Sequence, residues 1–209
     1  MNVIGRLSRS MYNLRASCDL PQHQDIGSYD FPHSLLLRHL RSGLFGSLGK
    51  ALKQAGIRSI LEVGYGPNAR YLQYLEQQLP EEIEITGVDP LRSSWPSKRT
   101  IMLQGEAADL PEIIGSNRFD LVISHGVFSP RKTFYSDKYG YEENRWLAMR
   151  GIMSSLSSHP KAAALVTAFS IDRLAMTRQE FSTCGRILDW RPTKYDPENG
   201  MGIVIESAV

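Results

Sequence analysis

Residues Ile60–Leu72 read ILEVGYGPNARYL. An apolar run ends beside the carboxylate of Glu62, Gly64 and Gly66 follow two residues apart, and leucines at helical spacing come next. Read as strand, turn and helix, the stretch puts glycine where positive φ is needed and where a Cβ would obstruct a ligand lying across the backbone. Without a ligand, the same spacing is a tight strand-to-helix connection.

Upstream, Leu37, Leu40, Leu44 and Leu48 recur at helical spacing within Ser34–Ala55, and Gly56 stands where a glycine ends a helix, so one or two lead-in helices are expected. Strands are expected over Ile57–Val63 and Ile83–Val88, separated by a helix carrying Leu72, Leu75 and Leu79 and stopped by Pro80. A short strand Ile101–Leu103, a small helix Pro111–Ile114 and a buried strand Phe119–Ser124 follow. A helix through Trp146, Met149, Met153 and Leu156 leads to the strand Ala162–Phe169, whose apolar run has one threonine inside it. Thr177 and Glu180 form a capping box for a helix ending near Gly185. Strands Arg186–Trp190 and Gly202–Ala208 flank a Pro- and Asn-Gly-containing connection.

Strands alternating with helices predict a doubly wound α/β domain: a mostly parallel seven-stranded sheet with an antiparallel C-terminal edge strand and an N-terminal helical extension. Residues 1–56 read as an arm and helices on the lid side, and 57–209 as the ligand-binding domain. Lysine and arginine number 24 against 22 acids, which gives no global attraction to nucleic acid or membrane. Two cysteines, Cys18 and Cys184, with no metal-ligand spacing, argue against disulfide scaffolds and zinc, so a reducing cytoplasm is expected. The longest apolar run is far short of the roughly 20 residues of a membrane span. Arg6, Arg9 and Arg15 precede the first acid, Asp19, without the apolar core of a secretory signal, and read as a mobile arm that orders late or on substrate.

In such sheets ligands bind at the carboxyl ends of the strands. Asp89 closes the second expected strand 23 residues after Gly66, where an acid can accept both hydroxyls of a ribose. Gly64-x-Gly66-x-x-Ala69 also satisfies the dinucleotide fingerprint, so a nicotinamide or flavin oxidoreductase is an alternative. Glu62 opposes it, because a carboxylate leading into the turn raises the cost of a pyrophosphate. No Y-x-x-x-K pair occurs. S-adenosylmethionine, with an adenosine, a sulfonium, an α-amino group and no phosphate, suits glycines beside an acid better.

These residues resemble the class I S-adenosylmethionine-dependent methyltransferases from Ile57 to the C-terminus. LEVGYGPN is similar to the family's first motif, acid-x-G-x-G-x-G, with Glu62, Gly64, Tyr65 and Gly66 in place and Asn68 where a third glycine is usual. Asparagine there is expected to cap the following helix. ITGVDP resembles the second-strand motif, which implies that Asp89 holds the ribose hydroxyls and that Pro90 and Leu91 lie near the adenine. QGEAADLP implies adenine recognition by Glu106 and Ala107, and FDLVISHGVF puts Ser124 and His125 beside the transferred methyl group.

Methyl transfer needs a nucleophile held in line with the S–CH₃ bond at about 3–3.5 Å. His125 is the candidate general base, since an imidazole with a pKa of about 6.5 is poised for proton removal; the alternative is a histidine that closes the pocket structurally. The segment FSPRKTFYSDKYGYEENRW, with Phe128, Phe134, Tyr135, Tyr139, Tyr141 and Trp146, together with Tyr29 and Phe31, reads as lid and acceptor pocket, although the same rings could pack the lid on the core. No N-P-P-Y-type motif follows the fourth strand and basic residues are scattered, so a small organic acceptor, methylated on O, N or C, is expected in place of nucleic acid. No acid cluster demands a metal. A methyltransferase-like protein that binds without catalysis is the remaining alternative, because fold alone does not fix chemistry.

Overall fold

A computed structural model of the chain describes residues 30–40, 47–66, 68–128, 138–168, 174–193 and 200–207. Two lead-in helices, α1 (Asp30–His39) and α2 (Leu48–Ala55), precede strand β1 (Ser59–Val63). The α2 terminus is a Schellman motif: Gly56, at φ 77°, donates its N–H to Lys53 O, and the Ile57 N–H reaches Leu52 O. Ile57 is thereby used by the helix end, which is why β1 begins two residues later than the apolar run suggests.

Helix α3 (Arg70–Gln78), β2 (Glu84–Asp89), β3 (Ile101–Gln104), a 3₁₀ turn (Ala107–Asp109), α4 (Leu110–Ile114) and β4 (Leu121–His125) follow. Next come α5 (Tyr141–Ser154), β5 (Ala163–Thr167), α6 (Arg178–Ser182), β6 (Arg186–Pro192) and β7 (Gly200–Glu206). The capping box of α6 closes in both directions, with the Glu180 N–H donating to Thr177 Oγ1 at 3.2 Å and the Thr177 N–H to Glu180 Oε2 at 2.7 Å. Helix α5 starts at Tyr141, earlier than its apolar periodicity, because Glu142 and Glu143 favour the first turn of a helix.

The seven strands form one sheet in the order β3-β2-β1-β4-β5-β7-β6. Strands β1 to β5 pair in parallel, whereas β7 is antiparallel to both β5 and β6, so the antiparallel pairing expected at that edge is made by β7 inserted inside β6. Strand order reverses between β1 and β4, which places the crevice of the sheet at their carboxyl ends.

Alternation along the strands sorts side chains onto two faces. Ile60, Ile85, Leu121, Ile123, Leu165 and Val204 pack under α1–α3 with Leu35, Leu52, Leu72 and Leu75. Leu61, Val63, Val88, Val122, Val166 and Ile203 pack against α4–α6 with Leu110, Met149, Ile152 and Phe181. The period of two then puts Glu62, Asp89, His125 and Thr167 on the α1–α3 face and Ser124 on the other. No helix among the described residues is long and apolar enough to cross a membrane.

Candidate cofactor site

The two glycines of the turn have different work. Gly64, at φ 85°, donates its N–H to Val88 O at 2.8 Å, and a Cβ built on it would stand 2.1 Å from Val127 Cγ2. It lets the loop after β4 close on β1. Gly66, at φ 68°, has nothing within 4 Å of the place a Cβ would take, so an open space lies over its backbone. Ala69 is in the left-handed region at φ 47°, which costs an L-residue about 1–2 kcal/mol and marks this turn as strained. Ala69, not Asn68, is the N-cap of α3; Asn68 is exposed and offers its carbonyl to Gln73 Nε2 at 2.7 Å. The expected asparagine cap is therefore absent, because the helix starts one residue too late for it.

Asp89 ends β2 and is 5% exposed. Its Oδ2 accepts the Gly66 N–H at 2.8 Å and its Oδ1 the Leu91 N–H at 2.7 Å. A carboxylate has about four lone-pair positions, so two acceptor positions remain for hydroxyls. Burial pushes its pKa up to about 6, opposed by the two backbone N–H groups. Glu62 is 1% exposed, and its Oε2 has no hydrogen-bond partner among the described residues. Burial, then the neighbouring Asp89 charge, hold its carboxyl well above the usual range.

Pro90 is exposed, and its carbonyl accepts Gln104 Nε2 at 3.2 Å; the Gly105 N–H reaches Asp89 O at 3.0 Å. These bonds bring half-buried Glu106 and Ala107, at the start of the 3₁₀ turn, beside the end of β2. The ring of Tyr65, a residue of the expected contact set, is 7% exposed and turned into the core, and its hydroxyl donates to Leu103 O at 3.4 Å. Gly87 makes room for that ring, since a Cβ there would lie 2.7 Å from Tyr65 Cδ1.

At the end of β4 the expected pair separates. Ser124 is fully buried on the α4–α6 face with no partner for its Oγ among the described residues. His125 lies on the face of Glu62 and Asp89, its Nδ1 2.8 Å from Thr167 Oγ1 and its ring 6.4 Å from that of Tyr71. Desolvation lowers its pKa to about 4, which favours the uncharged imidazole at neutral pH.

Phe128, expected in the acceptor pocket, is instead 0% exposed in the core, with its ring 6.2 Å from Phe181. Its volume is used for packing. Tyr139 donates its hydroxyl to Asp109 Oδ1 at 2.8 Å, where Lys138 Nζ also bonds at 2.7 Å, so it is tied to the 3₁₀ turn beside Glu106 and Ala107. Trp146 packs half-buried against the α4–α6 layer, and Tyr141 is exposed. Tyr29, Phe134 and Tyr135 lie outside the described residues, and Phe31 is placed by its backbone alone. Thr167 was not among the expected site residues. The polar residue inside the apolar run of β5 was the one signal for Thr167.

No protein-family model matches the chain, and no curated protein matches it. Among solved structures, Streptomyces venezuelae DesVI superposes with a TM-score of 0.51 at 11% identity, over 88% of this chain and 94% of that one. The sheet order and the inserted antiparallel β7 agree with the seven-stranded methyltransferase sheet and depart from the 3-2-1-4-5-6 order of dinucleotide enzymes. The chain has the class I methyltransferase fold. A Plasmodium falciparum chain assigned as a ribosomal RNA methyltransferase aligns at a TM-score of 0.42 and 13% identity, over 72% of this chain and 86% of that one. The plantazolicin methyltransferase BpumL, solved with S-adenosylhomocysteine, aligns at 0.45 and 14%, over 87% of this chain and 57% of that one. Gly66, Glu62 and Asp89 converge at the carboxyl ends of β1 and β2, beside the crevice between β1 and β4.

Proposed function

We propose that the chain is an S-adenosylmethionine-dependent methyltransferase acting on a small organic acceptor. The observation that carries the reading is the pairing of an open backbone at Gly66 with two buried acids that keep unused acceptor capacity, Glu62 Oε2 and Asp89. Buried polar atoms are almost always paired, and an orphan of this kind points to a group not contributed by the described chain. An adenosyl sulfonium with an α-amino group has matching donors, and a pyrophosphate would meet two carboxyls instead.

The cofactor supplies an electrophilic methyl group on a sulfonium. Asp89, its carboxylate held by the Gly66 and Leu91 N–H groups, would accept the ribose hydroxyls. Glu62 would take the α-amino group, and Glu106 with Ala107 would border the adenine. Residues 57–209 form the cofactor-binding domain, and residues 1–56 with the segment after β4 form the acceptor side. Holding the acceptor's attacking atom in line with the S–CH₃ bond is the main catalytic contribution, worth up to about 7–11 kcal/mol when orientation is complete. Near-balanced charge, 24 basic residues against 22 acidic, favours a small acceptor over nucleic acid.

The test is calorimetric titration of the full chain with S-adenosylmethionine, S-adenosylhomocysteine and NAD⁺. Binding of the first two and not the third is expected, weakened ~100-fold or more by Asp89→Ala, since two charge-assisted hydrogen bonds are lost. Binding of NAD⁺ alone, or of none, overturns the reading. Labelled methyl transfer to total RNA, with none to small metabolites, would overturn the acceptor class while leaving the cofactor.

A further inference from the structure

Glu62 and Asp89 stand on one face of neighbouring parallel strands, and the fold provides for their carboxyls differently. Asp89 is held by the N–H groups of Gly66 and Leu91, at 2.8 and 2.7 Å. Glu62 is 1% exposed, and its Oε2 has no hydrogen-bond partner among the described residues. In the sheet it is opposite Gly87 of β2, which has no side chain, and Ile123 of β4, which has no polar one.

The groups around it supply no counter-charge. Tyr65 in the turn and Tyr71 and Tyr74 on α3 are phenols, which never become cations, and burial favours the uncharged form of His125 on β4. Glu76 of α3 is occupied with the hydroxyls of Ser97 and Thr100, at 2.7 Å each. The basic residues Arg38, Lys50, Lys53 and Arg70 of α1–α3 are exposed. His39 of α1 is at the amino end of the sheet, its Nε2 donating to Lys161 O at 3.1 Å. Among the described residues, the charge nearest in kind to Glu62 is a second acid, Asp89.

A carboxylate taken out of water with neither donors nor a cation is costly, and a group so placed keeps its proton. Burial and then the Asp89 charge both push Glu62 in that direction. We infer that the free chain holds Glu62 as a neutral carboxylic acid, which ionises and releases its proton to solvent when a cationic amino group binds beside it. Glu62 is then the residue that selects ligands with an amino-acid end. The inference deepens the proposed function and rests on its placing of the α-amino group at Glu62. On binding, the ammonium keeps its hydrogens, the O–H bond of Glu62 breaks, and that proton passes to the buffer. A nucleoside without the amino group brings no counter-charge, and Glu62 stays protonated.

Two measurements on the full chain test this. The first is the ¹³C spectrum of the free chain with δ-¹³C-labelled glutamate, Glu62 being assigned by its loss in Glu62→Gln. A carboxylic-acid shift for Glu62 at pH 7 is expected, and a carboxylate shift overturns the inference whether or not any ligand binds. The second is calorimetric titration at pH 7 with S-adenosylhomocysteine in phosphate and in Tris, whose different ionisation enthalpies make the difference in heat a count of protons released. A release of about one proton per ligand is expected, falling to near zero in Glu62→Gln. It should also be near zero with 5′-methylthioadenosine, which has the nucleoside and the sulfur but no amino-acid end. Binding of S-adenosylhomocysteine without release, or equal release in Glu62→Gln or with 5′-methylthioadenosine, overturns the inference. Failure of S-adenosylhomocysteine to bind sinks the proposed function and the selecting role with it, while the carboxyl shift still decides the state of Glu62 in the free chain.

Discussion

Buried carboxyls stand at both ends of the sheet, and they are treated in opposite ways. At the amino end, Asp120 precedes β4 and accepts the Arg58 N–H at 2.8 Å and the Ser157 hydroxyl at 2.7 Å, while its own N–H bonds to Ser59. These bonds stitch the starts of β1 and β4 to the loop before β5. At the carboxyl end, Glu62 has an oxygen with no partner among the described residues, and Asp89 has its pKa raised to about 6. Moving a carboxyl pKa from 3.8 to about 6 corresponds to a cost on the order of 3 kcal/mol at neutral pH. Asp89 still accepts two backbone N–H groups of the turn, so the acid whose oxygen the fold leaves unused among the described residues is Glu62.

The difference can be broken by substitution at either end. Asp120→Ala is expected to have the largest effect on stability, about 2–4 kcal/mol in denaturant unfolding, because two donors lose their partner. Its affinity for S-adenosylhomocysteine should be nearly unchanged; a selective loss of affinity would erase the distinction between the ends. Gly64→Ala comes next, at about 2–3 kcal/mol, from a left-handed φ of 85° plus the Val127 clash, and Gly66→Ala should cost less stability and more affinity. Equal unfolding midpoints for the two variants would contradict the division of labour within the turn.

The pH dependence sharpens the comparison further. Asp89 holds its proton more tightly folded than unfolded, so its contribution to stability rises as pH falls from about 6 towards 4, and is a penalty above that window. The proposed contact with the ribose hydroxyls uses the ionised form, so affinity for S-adenosylhomocysteine should weaken by up to ~10-fold per pH unit below about 6. Opposite slopes of melting temperature and affinity, each taken relative to Asp89→Ala, are the expected result; parallel slopes would remove Asp89 from the ligand. The smallest effect is that of Glu62→Gln, which removes a fully buried ionisable group. Its melting temperature should stay level or rise by a few degrees, while affinity falls about threefold to tenfold. A large destabilisation would make Glu62 a structural acid like Asp120.

Much of the sheet was readable because its strands are short apolar runs bounded by Gly, Pro and caps that act locally: Gly56 with Ile57, Thr177 with Glu180, Gly64 after Val63. That Glu62, Gly66 and Asp89 come together was readable for the same reason, since each is tied to the end of a strand. What was not readable depends on neighbours across the sheet. Ser124 and His125 are adjacent in the chain, yet a period of two sends them to opposite faces. Thr167 matters only through its register with His125 and Gly202. The rings of Tyr65 and Phe128 are buried in packing, and a sequence does not separate aromatic rings that pack from those that recognise a ligand. The Asn68 cap failed by one residue, the usual margin for a helix boundary.

The most direct test is a crystal structure of the full chain with S-adenosylhomocysteine. The expected density puts the ribose hydroxyls within hydrogen-bond distance of the Asp89 carboxylate, the adenosine over Gly66 and the α-amino group towards Glu62 Oε2. An adenosine bound elsewhere, with Glu62 and Asp89 untouched, would contradict the assignment of the carboxyl-end acids to the cofactor.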